Sequence, residues 1–564
     1  MPKHYRFVLL TSGLTGLLLA GCTAAHYRSS ADRETYGILR DKMTTALGQT
    51  NEFTIDTPYS QRDPRSIKSV EIIQERLESP RLKLSLDGAL KTAVERSRNY
   101  QFRKESLYLA ALTLTRDRYD FTPKLALSST AERTRESSGQ QTGQVKSRVS
   151  LAQLFKSGAS LSVALANDLL RYYTGDPRRS ASTAISANIV QPLLRGAGAD
   201  IVAENLKQSE RTVIYEVRAF SRFQNTFAVD IVGTYYRLLQ QRDTVRNEYN
   251  NYRNLVLARE RAEALSRDRL PAFQVDQARQ DELSAKSRYI LAVQSYQTRL
   301  DQFKNTLGLS AGADLGLDDT ALTELNATGQ LPVALTEEAG YQSAVENRLD
   351  VLNEIDRFED SKRKIKVAAN RLKADLNLFA DASLDSLQPT DYARFNLNDY
   401  RVNAGVQLNL PLDRLRERND YRAALIAFER QIRSLAVTLD DVRNNVRQGL
   451  RTLQQANQNY EIQKNAVELA NRRVESATLL LQAGRAQIRD LLEAQSAQLQ
   501  TRNAATAALV DYQVARLTLL ADVGRLDTAA DHFWLKSQPG ERNPKAQPAP
   551  AADEVVPPEK LFAQ

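Results

Sequence analysis

Residues 425–481 read LIAFERQIRSLAVTLDDVRNNVRQGLRTLQQANQNYEIQKNAVELANRRVESATLLL. Leu425, Ile432, Leu439, Val446, Leu453, Tyr460, Val467, Val474 and Leu481 recur at every seventh position without a break. Three residues on lie Phe428, Leu435, Val442, Gly449, Ala456, Ala470 and Ala477, a second and mostly small seam. Two seams on a seven-residue period predict one long helix packed closely against partners. The pattern stops at Gly484 and resumes as a second helical run to Val523. The stretch from Pro411 to Gly524 therefore reads as a helical hairpin with a long and a short arm.

Working outward, the same pattern occurs once more, between Pro192 and Gly308. Leu206, Val213, Phe220 and Phe227 precede Leu425, Ile432, Leu439 and Val446 by 219 residues, and Pro192 precedes Pro411 by the same number. Arg269, Ala278 and Gly308 precede Arg485, Ala494 and Gly524 by 216. Upstream, Ala93-Val94-Glu95 and Ala344-Val345-Glu346 stand 251 apart. The offset changes only where loops would fall, so an internal duplication is expected. Helical pattern covers 86–120, 197–267 and 274–307 in the first half, and 337–371, 414–483 and 489–523 in the second. Two short helices end to end match one long one, about 105 Å at 1.5 Å per residue. Each half is expected to be a rod of paired helices that needs copies beside it.

Between the helices the period falls to two. Lys124–Thr134, Ala181–Gln191, Asp375–Leu384 and Val402–Leu410 read as strands of about ten residues, a length that suits tilted crossing of a bilayer. Strands in lipid must close into a barrel, and one chain offers too few. An extra pair, Val145–Leu154 and Ser160–Asn167, turns near Lys156-Ser157-Gly158. It suits either the barrel wall or a projection outside it. Tyr119, Phe121, Tyr172, Tyr173, Tyr392, Phe395 and Tyr400 flank these segments and suit an interfacial belt or ordinary turns.

The chain begins with Lys3 and Arg6, an apolar run from Val8 to Ala20, and Leu19-Ala20-Gly21-Cys22, an export signal too short to span a bilayer. Cys22 is the single cysteine of 564 residues, so no intrachain disulfide forms. The organisation expected is a signal peptide at 1–21 and an extended N-terminal arm at 22–85, with Ser85 or Asp87 capping the first helix. A first repeat at 86–308, a Gly- and Asp-rich linker at 309–336 and a second repeat at 337–524 follow. Residues 525–564 close the chain and end in a disordered Pro- and Ala-rich tail.

Leu-Ala-Gly-Cys resembles the bacterial lipobox, which implies acylation of Cys22 and, with Thr23 next, sorting to the outer membrane. The strand-to-helix junctions Gln191-Pro192-Leu193-Leu194-Arg195-Gly196 and Leu410-Pro411-Leu412 carry prolines suited to both a strand end and a helix start. Lipobox, duplicated order and these junctions together resemble the TolC-like outer-membrane efflux channel family over roughly 84–527. The resemblance implies a mainly α protein with membrane β: a homotrimer whose β-barrel, completed by trimerisation in outer-membrane lipid, continues into a long α-helical barrel. It also implies that 309–336 and the terminal segments form a belt around the tunnel. Its partners would be a periplasmic adaptor and an inner-membrane transporter, met by the hairpin tips Arg269, Leu270, Pro271 and Gly484, Arg485, Ala486. Asp268 and Pro271 depart from the family's first tip. Asp490 and Glu493 fall on the two acids that line the family's constricted periplasmic gate. Asp490 equally suits a helix's first turn, and Glu493 a surface pair with Arg489.

The three histidines, His4, His26 and His532, form no metal-ligand spacing, and no activated nucleophile or phosphate-cradling loop stands out. Neither an enzyme, a cofactor nor a metal is expected. The net charge of +9 becomes +7 without Lys3 and Arg6. The arginines are dispersed along helices and export removes the chain from cytoplasmic nucleic acid, so no nucleic-acid partner is expected. The reading is a passive duct of a tripartite efflux system. The alternatives are the outer-membrane component of type I protein secretion and a lipid-anchored coiled-coil tether, which would need no strands.

Overall fold

A computed structural model describes residues 24–48, 53–78, 80–173, 179–267, 271–387, 393–483, 485–530 and 532–536. In chain order its main elements are α1 (Ala24–Leu47), α2 (Ser69–Leu77), β1 (Arg81–Leu84), α3 (Leu86–Arg96), α4 (Arg98–Tyr119), β2 (Lys124–Arg135), β3 (Gln141–Leu154), β4 (Ser160–Tyr172) and β5 (Arg179–Pro192). The short α5 (Ala199–Val202) leads to α6 (Glu204–Leu265), α7 (Ala272–Thr306), β6 (Asp314–Leu317), α8 (Thr320–Thr328), α9 (Glu337–Asn347) and α10 (Leu349–Arg371). The chain continues through β7 (Asp375–Ser386), β8 (Phe395–Asn409), α11 (Leu415–Gln482) and α12 (Ile488–Asp522). Two compact units result, each drawing on both halves of the sequence. The first takes its described residues from Met1–Met43, Tyr108–Glu216 and Glu354–Ala436, the second from Thr44–Leu107, Val217–Asn353 and Val437–Gln564.

The first unit holds a six-stranded sheet ordered β2-β3-β4-β5-β7-β8, antiparallel throughout. Strand β5 pairs with β7 from Ala184↔Asp385 to Pro192↔Asn377, which joins the two halves of the chain. Beside the sheet, α6 and α10 are joined by a buried ionic cluster. Arg211 faces both Asp356 and Asp360. The Tyr215 hydroxyl donates to Asp360 at 2.7 Å, and Arg363 pairs with Asp360 and Glu204. Burial, then the hydrogen bond and charge of Asp360, push the Tyr215 pKa up, so the phenol stays a donor.

The N-terminal arm is not extended. Its first part is the 24-residue helix α1, which buries Thr35, Ile38, Leu39 and Met43. Those positions recur at a helical period that the surrounding charges conceal. Tyr36 packs edge-on against Tyr108, whose hydroxyl donates to Asp32 at 2.6 Å, and Lys42 and Arg118 converge on Glu210.

In the second unit the small seam of α11 acts as expected. A Cβ on Gly449 would stand 3.0 Å from Leu519 of α12; on the large seam, Val446 lies 2.8 Å from where a Cβ on Gly340 of α9 would stand. Two expected helices are each broken once, 86–120 at Ser97 and 337–371 at Arg348, where both residues are extended and donate back four residues. Each break is pressed by a glycine in the left-handed region. A Cβ on Gly308 (φ +77°) would stand 2.0 Å from the Arg96 carbonyl oxygen, and one on Gly524 (φ +72°) 2.9 Å from Asn347. Ser85 caps α3 through the Gly88 N–H at 3.2 Å. The 309–336 linker is structured: β6 pairs in parallel with β1, and α8 follows.

The segment after Asp531 is also ordered at its start. Phe533 and Trp534 are buried in a 3₁₀ turn, and fully buried Arg516 donates to the Trp534 carbonyl at 2.5 Å and the Lys536 carbonyl at 2.8 Å. Burial pushes the Arg516 pKa down. The rest of the expected tail, like Cys22 and the signal, lies outside the described residues.

Candidate functional site: a two-faced sheet and two hairpin ends

Direct partners in an antiparallel ladder share a face. Following the register from Leu125 gives Leu151, Val163, Ala187, Ala382 and Val402. From Leu127 it gives Val149, Leu165, Ile185, Leu384 and Tyr400. One face is thus apolar across all six strands. Leu125, Leu127, Val402 and Val406 are 74%, 64%, 59% and 62% exposed, so this face is no internal core. The polar residues that share it answer one another, with Ser129 to Ser147 at 3.0 Å and Asn167 donating to Thr183 at 2.7 Å. The opposite face carries Ser128, Arg148, Ala166, Ala184, Asp385 and, a few rows on, Gln144, Asp168, Asp381 and Asn403. There Gln144 donates to Asp168 at 2.8–2.9 Å and Asn403 to Asp381 at 2.9 Å. Exposed aliphatics on one face and a polar opposite face are the pattern of a lipid-facing wall around water.

The strand-to-helix junctions are clamped. Pro192 ends β5 opposite Asn377, and the Leu193 and Arg195 N–H groups continue the ladder to the Leu376 and Ala374 carbonyls at 2.7 and 3.2 Å. Asn370 accepts from the Gly196 N–H and donates to the Leu194 carbonyl. Pro411 follows β8, and Arg414 donates to the Pro411 carbonyl and, at 2.6 Å, to that of Leu372. Both prolines sit where an N–H is not needed.

Of the hairpin ends, Arg269, Leu270 and Gly484 lie outside the described residues. Pro271 is the N-cap of α7; Arg485 is exposed and its N–H reaches the Leu480 carbonyl at 2.9 Å; Ala486 is half-buried. Near these ends Leu255 of α6, Ala285 of α7 and Leu492 of α12 form one apolar cluster.

Asp490 completes a capping box with Gln487, accepting its N–H at 3.0 Å. Glu493 pairs with Arg473 of α11 at 2.8 Å, where the sequence offered Arg489. Arg489 instead stands 3.9 Å from Asp490. The Arg473–Glu493 pair had no local signal, because it depends on two helices facing each other 20 residues apart in sequence. Both acids are partly solvated, and each already has a cationic or N–H partner. Of the aromatic residues flanking the strands, Tyr119 sits against Lys124 at one end of the sheet and Tyr173 against Arg133 and Arg171 at the other. Tyr392 lies outside the described residues.

Among the described residues no helix is long and apolar enough to cross a membrane, and no group of acids, histidines and cysteine is placed to hold a metal ion.

Residues 340–525 match the family model of the outer membrane efflux protein. No curated protein matches the sequence. The fold is similar to that of the CmeC outer membrane channel of Campylobacter jejuni, at 14% identity and a TM-score of 0.56, over 78% of this chain and 85% of that one. It is similar to the outer membrane protein VceC of Vibrio cholerae at 15% identity and a TM-score of 0.55, over 78% and 96%. It is also similar to the open state of the MtrE outer membrane channel of Neisseria gonorrhoeae, at 12% identity and a TM-score of 0.55, over 85% and 98%.

Proposed function

From a second half that matches outer membrane efflux proteins and a fold shared with outer-membrane channels, we propose that this chain is the outer-membrane channel of a tripartite efflux system. It acts as a passive homotrimeric duct with no catalytic step. Cys22 carries the lipid anchor. The ends around Arg269–Pro271 and Gly484–Ala486 meet a periplasmic adaptor that links the duct to an inner-membrane transporter. Asp490 and Glu493, repeated in three copies, surround a cation-favouring entrance.

The observation that carries this reading is the sheet. Its apolar face is exposed rather than packed in a core, and two strands, β2 and β8, each have a neighbour on one side only. Unpaired edges are not tolerated in lipid, so copies must supply the missing neighbours and close a barrel. A coiled-coil tether needs no such sheet.

The test is purification of the full chain and recording in planar bilayers. A trimer that dissociates on heating and gives discrete conductance steps is expected. A non-conducting rod with purely helical circular dichroism would leave only the tether.

A further inference from the structure

Two strands come from the second half of the chain, β7 and β8, and four from the first. The surplus is the β3–β4 hairpin. It is no appendage. Strand β3 pairs with β2 along the whole of β2, from Lys124↔Ala152 to Arg135↔Gln141, and β4 pairs with β5 from Ser160↔Val190 to Arg171↔Arg179. The hairpin also keeps the sheet's sidedness: Val149 and Leu165 lie on the apolar face, Arg148 and Ala166 on the polar one. Its turn is fixed at the strand-to-helix junction. Gly198 donates to the Ser157 carbonyl at 3.2 Å, and Gly158 (φ +95°) lies so close to the Gly196 carbonyl oxygen that a Cβ would stand 2.7 Å from it.

We propose that the β3–β4 hairpin is a wall segment of the membrane barrel, raising a trimer from twelve strands to eighteen and making the outer-membrane opening wide enough to pass bulky hydrated solutes without contact. This rests on the trimeric-channel reading above. Barrel diameter grows nearly in proportion to strand number. With strands about 4.8 Å apart and tilted by about 40°, eighteen strands enclose a ring roughly 36 Å across, against roughly 24 Å for twelve. Barrels of that strand number hold an aqueous channel. Selection among solutes then falls to the helical part of the duct, and the hairpin sets the size limit at the outer face.

The test uses the full chain with Cys22→Ser, so that introduced cysteines stand alone. In proteoliposomes, Arg148→Cys should react with a membrane-impermeant maleimide and Val149→Cys should be protected at least tenfold. Equal labelling of the two in a conducting trimer would place the hairpin in water and overturn the proposal while leaving the channel reading intact. Deletion of residues 141–178 lets Arg135 and Arg179 close over the loop 136–140 with their faces kept. In planar bilayers, the size limit for neutral polyethylene glycols entering from the outer side should fall by at least about one third in radius. An unchanged limit would also overturn the proposal. Should the deletion fail to assemble, the labelling pair decides alone. If the parent neither trimerises nor conducts, the channel reading itself fails.

Discussion

Asp490 closes the first turn of α12 by accepting the Gln487 N–H. An alanine there would remove one half of the capping box together with the charge, about 0.3–1 kcal/mol of local stability. Asp490→Asn keeps an acceptor and removes only the charge. Glu493→Gln does the same for the partner of Arg473. If the two acids surround a pore entrance, the double variant should lose much of the parent's cation selectivity while its melting temperature moves little. Unchanged reversal potentials in a salt gradient would leave both acids as helix-end residues. The placement of Asp490 was readable from the sequence, since an acid in a first turn answers free N–H groups. The partner of Glu493 was not, and neither was the seating of Arg516 on the Trp534 and Lys536 carbonyls. Such contacts depend on packing between segments, which residue spacing does not encode.

At the scale of elements, strands and long helices were legible because each carries a sustained period. The expected 414–483 and 489–523 became 415–482 and 488–522. The strands grew from about ten residues to between 12 and 15, because their outer ends are polar and lose the alternation that marks them. Helix α1 was missed for the opposite reason: its four buried positions are too few among charges to register as a stripe. The breaks at Ser97 and Arg348 were missed because neither is a helix breaker. Each break lies against a distant glycine, Gly308 or Gly524, that leaves room for it. Gly308→Ala and Gly524→Ala should therefore cost more than Gly329→Ala, whose backbone is also left-handed but whose Cβ would meet nothing within 4 Å. The control, at φ +66° and ψ −146° where glycine alone sits comfortably, should lose roughly 1–3 kcal/mol from conformation alone. The two pressed sites should lose a further ~1–3 kcal/mol from overlap. Denaturant titration that ranks all three alike would remove the role assigned to these contacts.

At the scale of the whole molecule, the proposed attachment to the membrane is twofold, through strands and through an acylated Cys22. Cys22→Ser with an ordinary signal-peptidase site should abolish lipid labelling yet leave the protein in the outer-membrane fraction as a trimer. Full release into the soluble fraction would count against the barrel. The two units also differ in what water permits. The second has an interior of its own, with Tyr236, Phe303, Leu325 and Leu517 nearly or fully shielded. The first also buries Leu39, Leu114 and Ile214, but it presents besides an aliphatic sheet surface and two incomplete strand edges, a template for aggregation if left waiting. In the trimeric channel proposed above, the second unit is free to mature alone, whereas the sheet would reach its final form only in the act of joining its neighbours and lipid. In that channel, assembly would be the last folding step of every subunit, and a lone protomer would be an unfinished one.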